Sequence, residues 1–201
     1  MFIARILYPV NVLGPGDRVG IWFDGCKHAC KGCSNPELWD FQEKYKISLN
    51  RVLKLIEIIK KSNKISGFTI TGGDPFEQPD DLNELLDALK NISMDIIVYT
   101  GYEFDYLKQK FPDILKKITV LIDGPYIEEK NDNSFMRGSS NQNYIVLDSN
   151  YNEFYKTYFQ KGINKIQNFT SKDGIISVGI HRVKYNQELD QRIRLMGLEE
   201  Y

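Results

Sequence analysis

Apolar residues recur along this chain with two periods, and the two periods take turns. "RVGIWFDG" (Arg18 to Gly25) mixes β-branched and aromatic residues, which predicts a strand running straight into a loop. Leu49, Val52, Leu53, Ile56 and Ile59 then fall on one face of a helix that Ser48 is placed to cap. "GFTIT" (Gly67 to Thr71) predicts a short buried strand, followed by the turn Gly72-Gly73-Asp74-Pro75. Leu82, Leu85, Leu86 and Leu89 mark a second amphipathic helix, with Asp80, Asp81 and Glu84 near its positive N-terminal end. "DIIVY" (Asp95 to Tyr99) predicts a strand, "EFDYLKQKF" (Glu103 to Phe111) a short helix, and "ITVLI" (Ile118 to Ile122) another strand.

Strands alternating with helices at this spacing imply right-handed βαβ crossovers and a mostly parallel sheet, hence an α/β fold. In such folds the carboxyl ends of the strands face one side, and ligands bind there. Each predicted strand ends in unusual turn chemistry: Gly72-Gly73-Asp74-Pro75, Thr100-Gly101-Tyr102 and Asp123-Gly124-Pro125. With the loop after Gly25, these turns are expected to converge on one rim. After about residue 150 the character changes. Tyr151, Phe154, Tyr155, Tyr158 and Phe159 recur at helical spacing, as a packing face does. "INKIQNF" and "GIISVGI" flank the turn "TSKDG" as a hairpin would, and a charged helix is expected from about Tyr185. The chain thus divides into a core domain, residues 1–148, and a small C-terminal appendage, residues 149–201, expected to seal one edge of the core.

Composition narrows the setting. The 201 residues allow one domain with a real core, and 42% hydrophobic against 26% charged is ordinary globular composition. The net charge of −1 gives no overall field for nucleic acid or an anionic membrane. The apolar run at the N-terminus, ended by Pro9, is too short for a signal peptide, and no stretch approaches the ~20 apolar residues of a membrane span. The expectation is a soluble cytoplasmic protein, where clustered cysteines favour metal or redox chemistry over structural disulfides.

All 3 cysteines lie in "CKHACKGC", as Cys26, Cys30 and Cys33, at spacing C-x3-C-x2-C. An odd number cannot be consumed in disulfides. Structural zinc would need a fourth ligand, for which His28 or His181 could serve, but zinc ligands usually come as two separated pairs. A nucleophilic or redox thiol needs one or two cysteines with a base. A [4Fe–4S] cube ordinarily takes four thiolates. Held by three, it leaves one iron open to a small molecule, such as an amino acid chelating through its amine and carboxylate.

The same spacing resembles that of the radical S-adenosylmethionine (SAM) superfamily, and Gly72-Gly73-Asp74-Pro75 resembles its glycine-rich SAM motif. Closer still is the resemblance to the anaerobic (class III) ribonucleotide reductase activating proteins. It runs in order through "GPGDRVGIWFDGCKHACKGCSNPELW" (Gly14 to Trp39), "TGGDP", "YTGY" (Tyr99 to Tyr102), "LIDGPY" and "RGSSNQ" (Arg137 to Gln142). The resemblance implies a partial (β/α) barrel of the radical SAM type. It makes Cys26, Cys30 and Cys33 the ligands of a [4Fe–4S] cluster, with SAM held by Gly32, Cys33, Ser34, Gly72, Gly73, Asp74 and Asp123.

Gly32 stands where many radical SAM proteins carry an aromatic that packs on adenine, so adenine needs another wall. Gly73 and its neighbours would bring backbone close to the methionine amine, because glycine permits that approach. Asp74 would accept from that amine or cap the next turn, and Asp123 would bind a cation or polar groups of SAM or simply form an Asp-Gly turn. Arg137 would hold a carboxylate or stabilise its own loop. His28 would sit beside the ligands in a hydrogen-bonding role, and His181 would be structural.

The implied reaction is one-electron reduction of the cluster, cleavage of SAM to methionine and a 5′-deoxyadenosyl radical, and removal of hydrogen from a backbone glycine. That glycine would belong to an anaerobic ribonucleotide reductase, with a flavodoxin-like electron donor upstream. No catalytic side chain is expected beyond the cluster. The alternative is a radical SAM enzyme acting on a small molecule, such as a deazapurine-forming synthase, and a metal-stabilised binding module is a further rival.

Overall fold

The computed structural model describes residues 1–171 and 174–195. In chain order the elements are β1 (Ile3–Val10), β2 (Arg18–Phe23), α1 (Leu49–Ser62), β3 (Gly67–Gly72), α2 (Pro79–Lys90), β4 (Ile96–Tyr99), α3 (Phe104–Lys110) and α4 (Pro112–Leu115). They continue with β5 (Val120–Asp123), β6 (Asn143–Val146), α5 (Asn152–Lys161), β7 (Ile166–Ser171), β8 (Gly174–Gly179) and α6 (Tyr185–Leu195). The first strands form one sheet in the order β1-β2-β3-β4-β5-β6, and β7 and β8 pair separately. The pairings β2–β3, β3–β4 and β4–β5 are parallel, so this is the expected α/β fold with a parallel centre.

The two edges were not anticipated. β1 and β6 both run antiparallel to their neighbours. β1 occupies the apolar stretch at the N-terminus and runs through Pro9 to Val10. An edge strand tolerates a proline, since the missing N–H costs no ladder bond on the open side. The register shift between Leu7 and Val10 takes up the irregularity there. β6 is as short as β4 and β5 but only partly buried, so it lacks the continuous apolar run that marks those two strands.

Alternate residues of the central strands go to opposite faces. Val19, Ile21, Phe23, Phe68, Ile70, Ile96, Val98 and Leu121 meet α1, α2, α3 and α4 in one continuous buried cluster. Val52 and Ile56 of α1 and Leu82, Leu85, Leu86 and Leu89 of α2 are its helical side, as their spacing predicts. Ser48 does stand at the cap of α1, but its side chain makes no capping bond; its carbonyl accepts from Arg51 and Val52 instead.

The other face is covered by the C-terminal segment. Tyr155 of α5 packs with Ile97, Val120, Ile122 and Met136, and Val178 of β8 packs with Val10, Leu13, Trp22 and Leu38. The appendage therefore lies across a face of the sheet rather than along its edge. The reason is chemical: that face carries Trp22 and Tyr99, large apolar surface that only a later segment is free to cover. The hairpin and the terminal helix form as expected, although Lys172 and Asp173 of the turn and residues 196–201 lie outside the described residues. No helix among the described residues is long and apolar enough to cross a membrane.

Arg18 fastens this face to the strand ends. It is fully buried, with Nη1 2.9 Å from Asp95 Oδ2 and Nε donating to Thr69 Oγ1 at 2.8 Å. Tyr155 donates its hydroxyl to Asp95 Oδ1 at 2.5 Å, which ties α5 into the same network. Burying this ion pair is tolerable because every charged group in it has hydrogen-bond partners.

Candidate functional site

At the carboxyl ends of the parallel strands the chain leaves a cavity of about 190 Å³. It draws Cys26 from the loop after β2, Gly72 from the end of β3, Gly73 and Asp74 from the turn that follows, Thr100 and Gly101 from the turn after β4, and Gly124 from that after β5. Cys30, Cys33 and Ser34 line it too, so the loops expected to converge do so.

The cysteine loop keeps its shape through backbone bonds. Gly25, at φ +91°, turns the chain out of β2; Gly25 N–H donates to Leu38 O at 3.0 Å and Cys26 N–H to Trp39 O at 2.8 Å. Gly73 N–H reaches back to Phe23 O, and Asp74 N–H to Gly25 O, each at 2.8 Å. The two loops are therefore laced to one another. A side chain on Gly73 has nowhere to go: a Cβ there would sit 2.4 Å from Gly25 O. The glycine is needed for this close approach.

The three thiols are half-buried and form no disulfide. Burial pushes the Cys26 thiol up to about 11, and raises Cys30 as well. Thiols in such surroundings become thiolates when cations arrive to hold them. Among the described residues no three His, Cys, Asp or Glu side chains form a group that could hold a single metal ion, and the three thiols all line the one cavity. Three free thiols with no fourth in the chain suit a cluster in which each thiolate takes its own iron and one iron stays open, whereas a closed zinc site needs a fourth ligand. Asn35 N–H donates to Cys33 Sγ at 3.4 Å, the kind of sulfur contact that tunes iron–sulfur clusters. The residues present fit a [4Fe–4S] group.

Asp74 is 1% exposed and its carboxylate is engaged within the protein. Oδ1 accepts from Phe76 N–H at 2.9 Å, capping the turn that follows, while Oδ2 accepts from Gly101 N–H at 2.7 Å. Thr100 Oγ1 lies 3.0 Å from both oxygens. Of the two roles expected for Asp74, the structure displays the cap. His28 Nε2 lies 3.2 Å from Asp74 Oδ2, and its ring meets Tyr102 edge-on at 4.6 Å. Asp74 raises the His28 pKa, against the opposing effect of burial. His28 thus stands beside the thiols as a partner of Asp74.

Other expected residues fall elsewhere. Asp123 is buried, but Oδ2 accepts from Phe104 N–H at 2.8 Å and Oδ1 from Asn143 N–H at 3.1 Å, so it caps α3 and clamps β5 to β6. It faces a neighbouring cavity with Glu103 and Lys130, and the cysteine cavity stops at Gly124. Gly32, at φ +72°, lines an adjoining groove rather than the cysteine cavity, beside Glu128. Arg137 stabilises its own loop, donating to Gln142 O and Ser134 Oγ, each at 3.2 Å. Sequence reasoning missed Trp22, Tyr126 and Gln142 as lining residues, and Ser177 and Val178 from the tail; His181, expected to be structural, lines the cavity as well. Nothing local in the tail marks them; only the way the hairpin folds back brings them to the site.

Residues 12–145, more than half of the chain, match the family model described as a 4Fe-4S single cluster domain. The chain is similar to the anaerobic ribonucleoside-triphosphate reductase-activating protein of Enterobacteria phage T4, 36% identical over 141 residues, which are 68% of this chain and 88% of that relative. The chain belongs to this family of activating proteins. The relative of the same name from Haemophilus influenzae is 37% identical over 143 residues, 67% of this chain and 92% of that protein. The one from Escherichia coli K12 is 32% identical over the same length and shares. The family match stops at residue 145, so α5, the β7–β8 hairpin and α6 lie beyond it.

Proposed function

We propose that this chain activates an anaerobic ribonucleotide reductase: with a [4Fe–4S] cluster on Cys26, Cys30 and Cys33, it cleaves S-adenosylmethionine reductively and removes a hydrogen atom from a glycine of the reductase. The observation that carries this is the cavity itself, where three free thiols meet the backbone of Gly72 and Gly73 with no fourth thiol in the chain. When bound, the cluster supplies the electron and an iron with an open coordination site. The chain's own residues hold and orient. The backbone at Gly72 and Gly73 and the Ser34 side offer close polar contacts to SAM; Asp74 keeps the Gly73, Thr100 and Gly101 turns in register; Trp22, Tyr99 and Val178 exclude water. The reading takes the sheet as the core of a partial (β/α) barrel of the radical SAM type. It brings with it a flavodoxin-like electron donor and a cytoplasmic setting. The names of the relatives speak for a reductase over the deazapurine-forming alternative.

The test is electron paramagnetic resonance on the reduced protein mixed with SAM and the reductase of the same organism. A doublet that narrows when the reductase glycine is deuterated at its α-carbon is the expected result. SAM cleavage without that signal, together with turnover of a small substrate by the chain alone, would overturn it.

A further inference from the structure

The stretch from Cys26 to Cys30 carries two of the three thiols, and its backbone is bent against the preference of its residues. Ala29 sits at φ +44°, in the left-handed region that a residue bearing a Cβ adopts only at a cost. Such a conformation persists where the surroundings hold it in place.

Two residues of this stretch, Lys27 and His28, are gripped from outside it. Lys27 Nζ lies 2.6 Å from Glu77 Oε2, and Tyr102 donates its hydroxyl to Glu77 Oε1 at 2.7 Å. The Tyr102 ring meets that of His28 edge-on, and His28 Nε2 faces Asp74 across 3.2 Å. Glu77 ends the single helical turn Pro75–Glu77, which Asp74 caps, and Tyr102 follows Gly101. The grip therefore comes from the turns after β3 and β4, the same turns that line the cavity.

Glu77 is the centre of this grip. Its side chain is 2% exposed, whereas that of Lys27 is 80% exposed. A carboxylate so shielded is tolerated when it has partners, and here they are Lys27 and Tyr102. Burial pushes the Glu77 carboxyl up, but the bonds from Lys27 and Tyr102 outweigh it and hold the group below its usual value. Farther along the loop, Lys31 reaches Glu128 at 3.2 Å and Glu129 at 2.9 Å. Lys31 and Glu129 are both exposed, and an ion pair in water contributes little. The shielded pair is the one able to hold a strained loop.

We propose that Glu77 is a positioning residue for the cluster: through Lys27 and Tyr102 it clamps the Cys26–Cys30 loop onto the strand ends, in the shape that offers both thiols to the cavity. This rests on the cluster reading above. Glu77 acts through Lys27, next to Cys26 in the chain, and through the Tyr102 ring that backs His28. Without the clamp the loop relaxes at Ala29 and the cluster is released sooner, although the fold is intact.

The experiment measures loss of iron to a chelator from the full chain, reconstituted anaerobically with iron and sulfide, beside a denaturant titration of each variant. Lys27→Met is expected to release iron roughly tenfold faster than the wild type, while circular dichroism keeps the folded signature. Glu77→Gln, which keeps an acceptor for Tyr102, gives the same increase, and the double variant no more than either change alone. Lys27→Arg keeps the wild-type rate, and Lys31→Met stays within about twofold of it. A wild-type rate in folded Lys27→Met overturns the proposal, as do effects of the two changes that multiply, or an equal effect of Lys31→Met. It is overturned too if release simply follows global stability across these variants and Phe68→Ala. Should Glu77→Gln fail to fold, the rates of Lys27→Met, Lys27→Arg and Lys31→Met still decide the matter. A wild type that takes up no cluster overturns the cluster reading and this proposal together.

Discussion

The two faces of the central sheet are made from alternate residues of the same strands, yet they differ in kind. On the helix-covered face Val19, Ile21, Phe23, Phe68 and Ile70 are all fully buried against other apolar side chains. On the other face the same strands present Arg18, Gly20, Trp22, Thr69 and Thr71. The first face closes completely under the helices that follow each strand. The second is bridged by α5 and the hairpin, and at the strand ends it stays open as the cysteine cavity. Packing is served by uniform apolar contact; chemistry needs polar groups, close backbone approaches and space. The one sheet provides both by alternation.

The largest effect that separates the faces should come from the cysteines. Cys26→Ser, Cys30→Ser or Cys33→Ser is expected to reduce iron content from about four per chain to under one, while circular dichroism keeps the folded signature. Unfolding of all three variants would mean that the cluster holds the fold and not merely the site. On the opposite face, Phe68→Ala removes a fully buried ring and is expected to cost about 3–5 kcal/mol by denaturant titration. Cluster content per folded chain should be unchanged.

Next in size are two changes that probe how the second face is assembled. Gly73→Ala forces a Cβ to within 2.4 Å of Gly25 O, with an expected cost of about 1–3 kcal/mol and weaker SAM binding. Tyr155→Phe removes the hydroxyl given to Asp95 in the buried Arg18 network, at about 1–3 kcal/mol, with no change at the thiols. Smallest is Ile58→Ser on the outer side of α1, where the side chain is 64% exposed; stability should move by no more than about 0.5 kcal/mol. A larger loss there would mark a contact surface on the helix side.

These contrasts also explain what could be read from the chain. The helix-covered face was legible because its residues repeat with the periods of strand and helix, close together in sequence. The cysteines were legible because their spacing is local and chemically odd. β6 lacks the continuous apolar run of the equally short β4 and β5, and β1 was obscured by Pro9. Asp74 and Asp123 illustrate a different limit. Both stand at strand ends as expected, but whether a carboxylate there meets a ligand or caps a turn depends on N–H groups such as Gly101 and Phe104, which composition does not reveal. His181 was the least legible residue of all, since its place in the cavity depends on a hairpin folding back across some 150 residues to Cys30.

The central claim is that three thiolates in this cavity hold a cluster whose fourth iron is free to exchange its ligand. Mössbauer spectroscopy of the chain reconstituted with 57Fe, before and after SAM, tests it most directly. The account predicts that SAM shifts the signal of about one iron in four and leaves the others in place. Four irons that all ignore SAM, or a protein that takes up zinc in place of iron under strict anaerobiosis, would contradict it.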